Sequence, residues 1–298
     1  MDYMEYALEI IKGNEDIFDK QAKIYEISAG FNNKLFNVDD KYIIKICVNN
    51  NLSDKFKKEA NFYKLNKGDY IGKLYKYDDS KSIIPYVYEI IEKIDGMSLY
   101  YYWYKMNETL REETIKKLVY VLKDFHKPIK NYNFANFLKS QLRDYLNKSQ
   151  KYFNSEEINV IKKVIDILDR YFVDEKIVTI HNDLHFDNII YNNGKIYLID
   201  FNDLSYGPID YDLRYLYFCQ FKPWKWANEE MDPFQKVEDF KNIFNYLIKY
   251  YDELSIIKNI DDRMIIYMIV DDMRLFSKTY NSELKDSVLN NSKKLIYK

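Results

Sequence analysis

The chain has 298 residues, of which 47% are hydrophobic and 31% are charged, and its formal net charge is −2. A chain of this length and hydrophobic content can bury a large core, while the balanced charge excludes the basic footprint of a nucleic-acid-binding protein. No apolar run approaches the roughly 20 residues that a membrane-spanning helix needs, so we expect neither nucleic acid nor membrane as a partner.

The N-terminus and the cysteines predict a cytoplasmic protein. Acidic residues interrupt the first apolar segment, which has no basic start and no small-residue cleavage site, so we do not expect a signal peptide. Cys47 and Cys219 each lie in an apolar segment. This placement is typical of reduced core thiols in a reducing compartment.

The first third of the chain is predicted to form a sheet. Residues 3–12 have the apolar spacing of a helix. Short segments rich in Ile, Tyr and Val then predict the strands of one antiparallel sheet, at 23–28, 34–38, 41–48, 71–77 and 84–91. A helix over 53–68, with Ser53 as its N-cap and Gly68 at its end, interrupts this sheet.

From about residue 97 the periodicity is mostly helical. The segments with helical spacing are 108–126, 133–150, 155–172, 234–253 and 260–279. Residues 177–200 differ, because short strand-like runs there surround a polar cluster and an Asn192-Asn193-Gly194 turn. We therefore predict an α+β protein in two lobes, residues 1–96 and 97–298, with the boundary near Gly96.

The polar cluster lies in the stretch IHNDLHFDNIIY, residues 180–191. A hairpin of NIIY and KIYLID would bring Asn188 close to Asp200, which ends the second run. Two oxygen ligands suit Mg²⁺, which takes its other ligands from water and phosphate. Asp183 is then left to orient or deprotonate a hydroxyl group.

The spacing of His181-Asn182-Asp183, then Asn188, then Ile199-Asp200-Phe201 resembles the catalytic loop and metal-binding aspartate of kinases. It is most similar to the aminoglycoside phosphotransferase and choline kinase superfamily, small-molecule relatives of protein kinases. That family usually has Gly where this chain has Asn182. A protein kinase would more often have Gly after Asp-Phe, where this chain has Asn202, which favours the small-molecule branch.

The resemblance implies a protein-kinase-like fold that binds Mg²⁺ and transfers the γ-phosphoryl group of ATP or GTP to a small-molecule hydroxyl. It implies that Asp183 is catalytic, that Asn188 and Asp200 bind the metal, and that His181 and Asp212 support the loop. The nucleotide-binding residues implied in the N-terminal lobe are Ser28, Gly30 and Asn33 in the phosphate-covering turn, Lys45 and Glu59 as an ion pair, and Ile91, Glu92 and Ile94 at the hinge.

The acceptor stays open between two kinds of cation. A polycationic aminoglycoside could be neutralised by acids downstream of the catalytic loop, namely Asp203, Glu229, Glu230, Asp232, Asp271 and Asp272. Choline or ethanolamine could instead lie among aromatic rings such as Trp224 and Trp226. We expect a monomer with an aminoglycoside-type acceptor. In the family, phosphorylation of such acceptors is associated with antibiotic resistance.

Two other classes of protein remain as alternatives. His181, Asp183, His185 and Asp187 alternate, so in a strand they would share one face and could bind the metal of a hydrolase. The other alternative is a kinase-like module that binds nucleotide but has lost catalysis. Every residue that phosphoryl transfer requires is present, which favours an active enzyme.

Overall fold

A computed structural model describes residues 2–27, 33–173, 175–227 and 230–297. The chain falls into two compact units. The first comprises Met1–Asp124, His185–Leu204 and Trp224–Asp239, and the second comprises Phe125–Leu184, Ser205–Pro223 and Phe240–Lys298. The predicted lobes, 1–96 and 97–298, remain a prediction.

The described residues contain antiparallel strands and many helices. The strands are β1 (Ile24–Ile27), β2 (Asn33–Val38), β3 (Tyr42–Cys47), β4 (Leu74–Asp78), β5 (Tyr88–Glu92), β6 (Met97–Ser98), β7 (Val178–Ile180), β8 (Ile189–Asn192), β9 (Lys195–Leu198) and β10 (Ser205–Gly207). The helices are α1 (Tyr3–Lys12), α2 (Ser53–Leu65), α3 (Tyr100–Trp103), α4 (Glu108–Phe125), α5 (Phe134–Ser149), α6 (Ser155–Ile167), α7 (Ile209–Asp212), α8 (Arg214–Phe218), α9 (Val237–Phe240), α10 (Ile243–Tyr250), α11 (Asp252–Ser255), α12 (Ile260–Thr279) and α13 (Ser282–Ile296).

The first unit is built on the predicted five-stranded antiparallel sheet, with strand order β1-β2-β3-β5-β4. Its core includes Ala7 and Ile10 of α1 together with Phe36, Ile44 and Ile90 of the sheet, all fully buried. The prediction of one antiparallel sheet is confirmed. The predicted strand 84–91 begins only at Tyr88, because the chain bends through residues 82–86 around a proline, which cannot donate to a strand ladder.

Helix α2 differs from its prediction at both ends. Ser53 is its first residue rather than its N-cap, and a short 3₁₀ helix, Asn50–Leu52, precedes it. The helix ends at Leu65, three residues before Gly68. The Asn66 side chain accepts a hydrogen bond from the Gly68 N–H at 2.8 Å, so this segment turns away from the helix early.

The hairpin predicted around the polar cluster is β8–β9, and β6 pairs with β8 at its edge. Its turn has positive φ at Asn193 (47°) and Gly194 (85°), as a tight two-residue hairpin requires. Gly96 also has positive φ, 113°, and a Cβ there would lie 2.5 Å from the Tyr191 carbonyl oxygen. Glycine therefore allows the close approach of the chain to the hairpin.

The second unit is mainly helical, with the long helix α12 packed against α5 and α13. The predicted helix 234–253 is wrong as one element, because it is divided into α9, α10 and α11. Tyr251 takes an extended backbone conformation between α10 and α11, and it is buried. The run IVTI pairs as β7 with β10 in this unit rather than with the hairpin. Among the residues described, no helix is long and apolar enough to cross a bilayer.

Candidate active site

Lys45 lies in β3 between two neighbouring strands. It pairs with Leu35 of β2 and Glu89 of β5, and it is 4% exposed. Its Nζ donates to Glu59 Oε2 and to Asp200 Oδ1, each at 2.8 Å. A buried ammonium group needs such charged partners, so the strand holds one cation between two carboxylates.

Glu59 projects from α2 and is fully buried. Its Oε1 accepts the backbone N–H of Phe201 at 3.1 Å. The Phe201 ring packs on the same helix, with its centroid 4.5 Å from that of Phe62 and 5.5 Å from that of Tyr63. Helix α2 therefore fixes the backbone immediately after Asp200.

Burial and neighbouring charges shift the pKa values of the ionisable groups around Lys45. Burial alone would lower the pKa of Lys45, but the negative charges of Asp200 and Glu59 outweigh burial and raise it above its ordinary value. Burial, together with the charge of Glu59, raises the pKa of Glu89 well above its ordinary 4.5. Neither carboxyl oxygen of Glu89 forms a hydrogen bond to any described residue. The contacts with carboxylates therefore favour the charged form of Lys45, and burial favours the protonated form of Glu89.

The two predicted metal ligands lie at the open end of the hairpin. The Ile199 N–H donates to the Asn188 carbonyl oxygen at 3.1 Å, which extends the ladder by one bond beyond β8 and β9. Asp200 follows with a left-handed backbone (φ 62°) and a side chain that is 47% exposed. One amide and one half-exposed carboxylate fit a Mg²⁺ ion that takes its other ligands from water and phosphate.

The predicted phosphate-covering turn is described only at its end. Ser28 and Gly30 lie outside the described residues. Asn33 begins β2 and pairs with Cys47 of β3. Its Oδ1 is buried and has no hydrogen-bond partner among the described residues.

The predicted hinge residues lie at the end of β5 and just after it. Ile91 and Glu92 belong to the strand, whereas Ile94 lies beyond it. The Glu92 N–H donates to the Lys73 carbonyl oxygen at 2.7 Å, and the Glu92 carboxylate accepts from the Lys73 N–H at 2.9 Å. Because the Glu92 N–H is already bonded to Lys73, the backbone of Ile94 is the better candidate for contact with a purine edge.

Asp183 is half-buried on the loop after β7, in the second unit. The N–H groups of His181 and Asn182 donate to the two oxygens of Asp212, at 3.0 and 2.6 Å. His126 Nε2 lies 3.0 Å from Asp212 Oδ2. Burial alone would raise the pKa of Asp212, but the hydrogen bonds from His126 and from the Asn182 backbone hold it below its ordinary value. A carboxylate therefore fixes the two residues before Asp183.

The predicted residues divide between the two units. The first unit holds the predicted nucleotide and metal residues that are described, namely Asn33, Lys45, Glu59, Ile91, Glu92, Ile94, Asn188 and Asp200. The second holds His181, Asp183 and Asp212. The chain passes from the second unit to the first between Leu184 and His185, inside the polar cluster.

The strand face that a metallohydrolase would need is absent from this cluster. β7 ends at Ile180, and residues Phe186–Asn188 form a 3₁₀ helix, so the alternating residues do not share one strand. Asp187 Oδ1 accepts from Ser98 Oγ at 2.7 Å. In the part of the chain that is described, no group of three or more His, Cys, Asp or Glu side chains could hold a metal ion.

Two of the acids considered for the acceptor are not available to it. Asp271 and Asp272 are buried, and they accept hydrogen bonds from Arg214 Nε (3.0 Å) and Ser287 Oγ (2.6 Å). Their proposed role is wrong because each is already paired inside the protein. Of the other candidates, Asp203 is paired with Lys55. Glu230 and Asp232 are exposed, and Glu229 lies outside the described residues.

Sequence reasoning missed two buried charged residues beside the predicted site. Arg214 is 2% exposed and donates from Nη2 to the Asn182 carbonyl oxygen at 3.0 Å. Glu89 is fully buried beside Lys45 in the sheet. Arg214 is the only charged residue of the run RYLYF, and Glu89 is the only charged residue of the run YVYEII. A single charge within an apolar run was the sequence signal that could have indicated a buried charged residue.

A family model described as the phosphotransferase enzyme family matches residues 23–235. Protein LicA homolog from Metamycoplasma hominis is 27% identical over 201 residues, which cover 63% of this chain and 69% of that protein. The crystal structure of the ADP-bound aminoglycoside phosphotransferase APH(2'')-Ib superposes with a TM-score of 0.71 at 16% identity, covering 97% of this chain and 99% of that one.

A choline kinase from Cryptosporidium parvum also shares the fold. It superposes with a TM-score of 0.60 at 14% identity, covering 99% of this chain and 96% of that one. At these identities the likeness between structures concerns the fold. The predicted protein-kinase-like α+β fold is confirmed.

Proposed function

The chain belongs to the phosphotransferase enzyme family, and from this premise we propose that it transfers the γ-phosphoryl group of ATP or GTP to a hydroxyl group of a small molecule. The observation that carries the proposal is the contact of Lys45 with both Glu59 and Asp200. A lysine held by one buried acid and one half-exposed acid can keep the first partner while the second turns to a ligand. The nucleotide of the related ADP-bound enzyme supports a nucleotide donor.

In this proposal the residues of the first unit bind the nucleotide. The backbone at Ile94 contacts the purine, and Lys45 donates to phosphate oxygens while Glu59 holds it in place. A Mg²⁺ ion held by Asn188 and Asp200 would neutralise part of the phosphate charge. Most of the rate enhancement then comes from positioning and from charge stabilisation.

Asp183 is the proposed general base. Its carboxylate accepts the proton of the acceptor hydroxyl as the new O–P bond forms. The bond from the γ-phosphorus to the bridging oxygen breaks, and its electron pair leaves with ADP or GDP. Asp212 supports this step by fixing the backbone of the two preceding residues.

For the acceptor we propose an aminoglycoside-type alcohol first. The fold shared with an aminoglycoside phosphotransferase supports this choice, as do the exposed acids Glu230 and Asp232. A choline- or ethanolamine-type acceptor is the second candidate. The loss of Asp271 and Asp272 as free acids favours it, and the Trp224 ring is 46% exposed and open to a cation.

The test is a coupled assay of nucleotide consumption. The purified protein is supplied with Mg²⁺ and either ATP or GTP, and it is screened against aminoglycosides, choline and ethanolamine. We expect consumption above the acceptor-free rate with an aminoglycoside. A response to choline or ethanolamine alone would reverse the order of the two acceptors, and no response to any acceptor would contradict a small-molecule kinase of these classes.

A further inference from the structure

Asn182 has a backbone conformation that few side chains adopt. Its φ is 68°, in the left-handed region, and it is the residue directly before Asp183. Asparagine tolerates this region better than most residues, but it still costs strain that the surroundings must compensate. The conformation therefore needs a partner that holds it.

Asp212 holds the Asn182 N–H, and Arg214 is a second partner, on the carbonyl side. Its Nη2 donates to the Asn182 carbonyl oxygen at 3.0 Å and to Asn182 Oδ1 at 3.2 Å. The carbonyl belongs to the peptide bond that joins Asn182 to Asp183. A donor that holds this oxygen sets the plane from which the Asp183 backbone continues.

The Arg214 guanidinium is itself held on every side. Its Nε donates to Asp271 Oδ2 at 3.0 Å, and its Nη1 donates to the Tyr211 carbonyl oxygen at 2.8 Å. The rings of Tyr211 and Tyr215 lie 4.0 and 4.1 Å from its Cζ, and the residue is 2% exposed. A planar fork fixed in this way can transmit the position of α12, through Asp271, to the loop.

We propose that Arg214 is a positioning residue that holds Asn182 in its left-handed conformation and thereby aims the Asp183 carboxylate. The inference rests on the proposed function, since Arg214 would affect turnover only through Asp183, the proposed general base. A lysine at position 214 would keep the charge beside Asp271, but it cannot donate in a planar fork to several acceptors at once. Arg214→Lys therefore loosens the loop without leaving Asp271 unpaired.

The chain offers a matched control in Arg263. This arginine is also 2% exposed, and it donates to both oxygens of Asp210 at 2.8 Å and to Glu175 at 2.6 Å. Its ring contact is Phe172, 4.7 Å from its Cζ. Arg263→Lys thus disturbs an equally buried ion pair of the same unit whose partners lie outside the loop 181–184.

The experiment compares kcat, KM for the nucleotide and Tm of the two variants. We expect Arg214→Lys to lower kcat by about 10- to 100-fold, as misplacement of a catalytic group does, with KM for the nucleotide unchanged. Arg263→Lys should lower Tm to a similar extent and leave kcat within about threefold of the parent protein. Equal losses of kcat in the two variants, or a loss confined to KM, would overturn the proposal.

Two further measurements separate this inference from the proposed function. In an Asp183→Asn background, adding Arg214→Lys should cost no further kcat, and a further tenfold loss would show that Arg214 acts elsewhere. Hydrogen exchange of the Asn182 and Asp183 amides should be faster in Arg214→Lys than in Arg263→Lys. If no acceptor supports turnover, the proposed function fails, while unchanged amide exchange is what would refute the positioning role.

Discussion

Lys45 and Arg214 are both buried cations that contact carboxylates, but their partners differ. The Asp200 carboxylate that Lys45 contacts is 47% exposed, whereas the Asp271 carboxylate beside Arg214 is 6% exposed. Lys45 carries a compact ammonium group with rotatable donors, and Arg214 carries a planar fork between two rings. The first arrangement suits a cation that must exchange a partner for a ligand, and the second suits a cation that must hold its surroundings still.

The largest expected effect is on the residue that the fixed arrangement serves. Asp183→Asn should lower turnover by about 10²- to 10⁴-fold, because the amide cannot accept the hydroxyl proton. Nucleotide affinity should be unchanged, since the proposed nucleotide ligands lie elsewhere in the chain. Steady-state kinetics and calorimetry measure both quantities.

Asp187→Asn is the control for that variant. Asp187 lies four residues further along the chain, in the 3₁₀ helix Phe186–Asn188, and its carboxylate accepts from Ser98 rather than serving the proposed chemistry. It should keep most of the turnover. An unchanged turnover of Asp183→Asn would show that this aspartate is not the base.

The contributions of Glu59 and Asp200, the two carboxylates that contact Lys45, can be separated by removing one at a time. Glu59→Gln removes the fully buried charge beside Lys45, and it should lower the free energy of unfolding by roughly 3–5 kcal/mol in a urea titration. Asp200→Asn removes the half-exposed charge, and it should cost at most about 1 kcal/mol. Asp200→Asn should instead weaken Mg²⁺-dependent nucleotide binding in calorimetry. Equal stability losses in the two variants would contradict the division.

Substitutions of Asn182, the residue with a left-handed backbone, should have a smaller and more local effect on stability. Asn182→Ala should unfold more easily than Asn182→Gly by about 1–2 kcal/mol, because alanine is strained at a φ of 68° and glycine is not. Both variants lose the Oδ1 contact with Arg214, so the comparison isolates the backbone. Urea denaturation measures the difference, and kcat should follow the same order. Alanine equal to glycine would mean that the loop relaxes to another conformation.

Counted per pH unit, the smallest change in stability concerns Glu89, the buried acid beside Lys45. The folded-state pKa of Glu89 is raised, so above pH 4.5 the folded protein holds a proton that the unfolded chain has released. Stability should therefore fall as the pH rises through this window, by up to about 1.4 kcal/mol per pH unit. Glu89→Gln should flatten that slope in urea titrations from about pH 5 to pH 8. An unchanged slope in Glu89→Gln would show that this acid is not the source of the pH dependence.

Local patterns were sufficient to predict the elements whose partners lie nearby. Residues 3–12 and 260–279 form α1 and α12 as predicted, and the five-stranded sheet follows from short β-branched and aromatic runs. The hairpin followed from a turn whose asparagine and glycine accept positive φ. In each case the chemistry that decides the structure lies within a few residues.

Distant contacts account for what the pattern could not show. Tyr251 divides the predicted helix 234–253, and its hydroxyl lies 2.7 Å from His126 Nδ1, 125 residues away in the chain. The sequence predicted Asp271 as an acid available to the acceptor, but its carboxylate accepts a hydrogen bond from Arg214 inside the protein. The local sequence around Asp271 could not show this burial, because the partner that makes it possible lies 57 residues away in the chain.

The division of the first unit into three chain segments has a consequence during synthesis on the ribosome. Strands β1–β5 leave the ribosome early and can pair, but Asp200 follows Glu92 by 108 residues, or roughly 5–20 s of translation. Until then Lys45 has only one of its two contacting carboxylates. The closing segment comes later still, when Trp103 Nε1 donates to the Asp239 carbonyl oxygen at 2.8 Å and Arg111 donates to the Asp239 carboxylate. A nascent chain therefore carries a finished sheet around an unfinished charge cluster while these 108 residues are added.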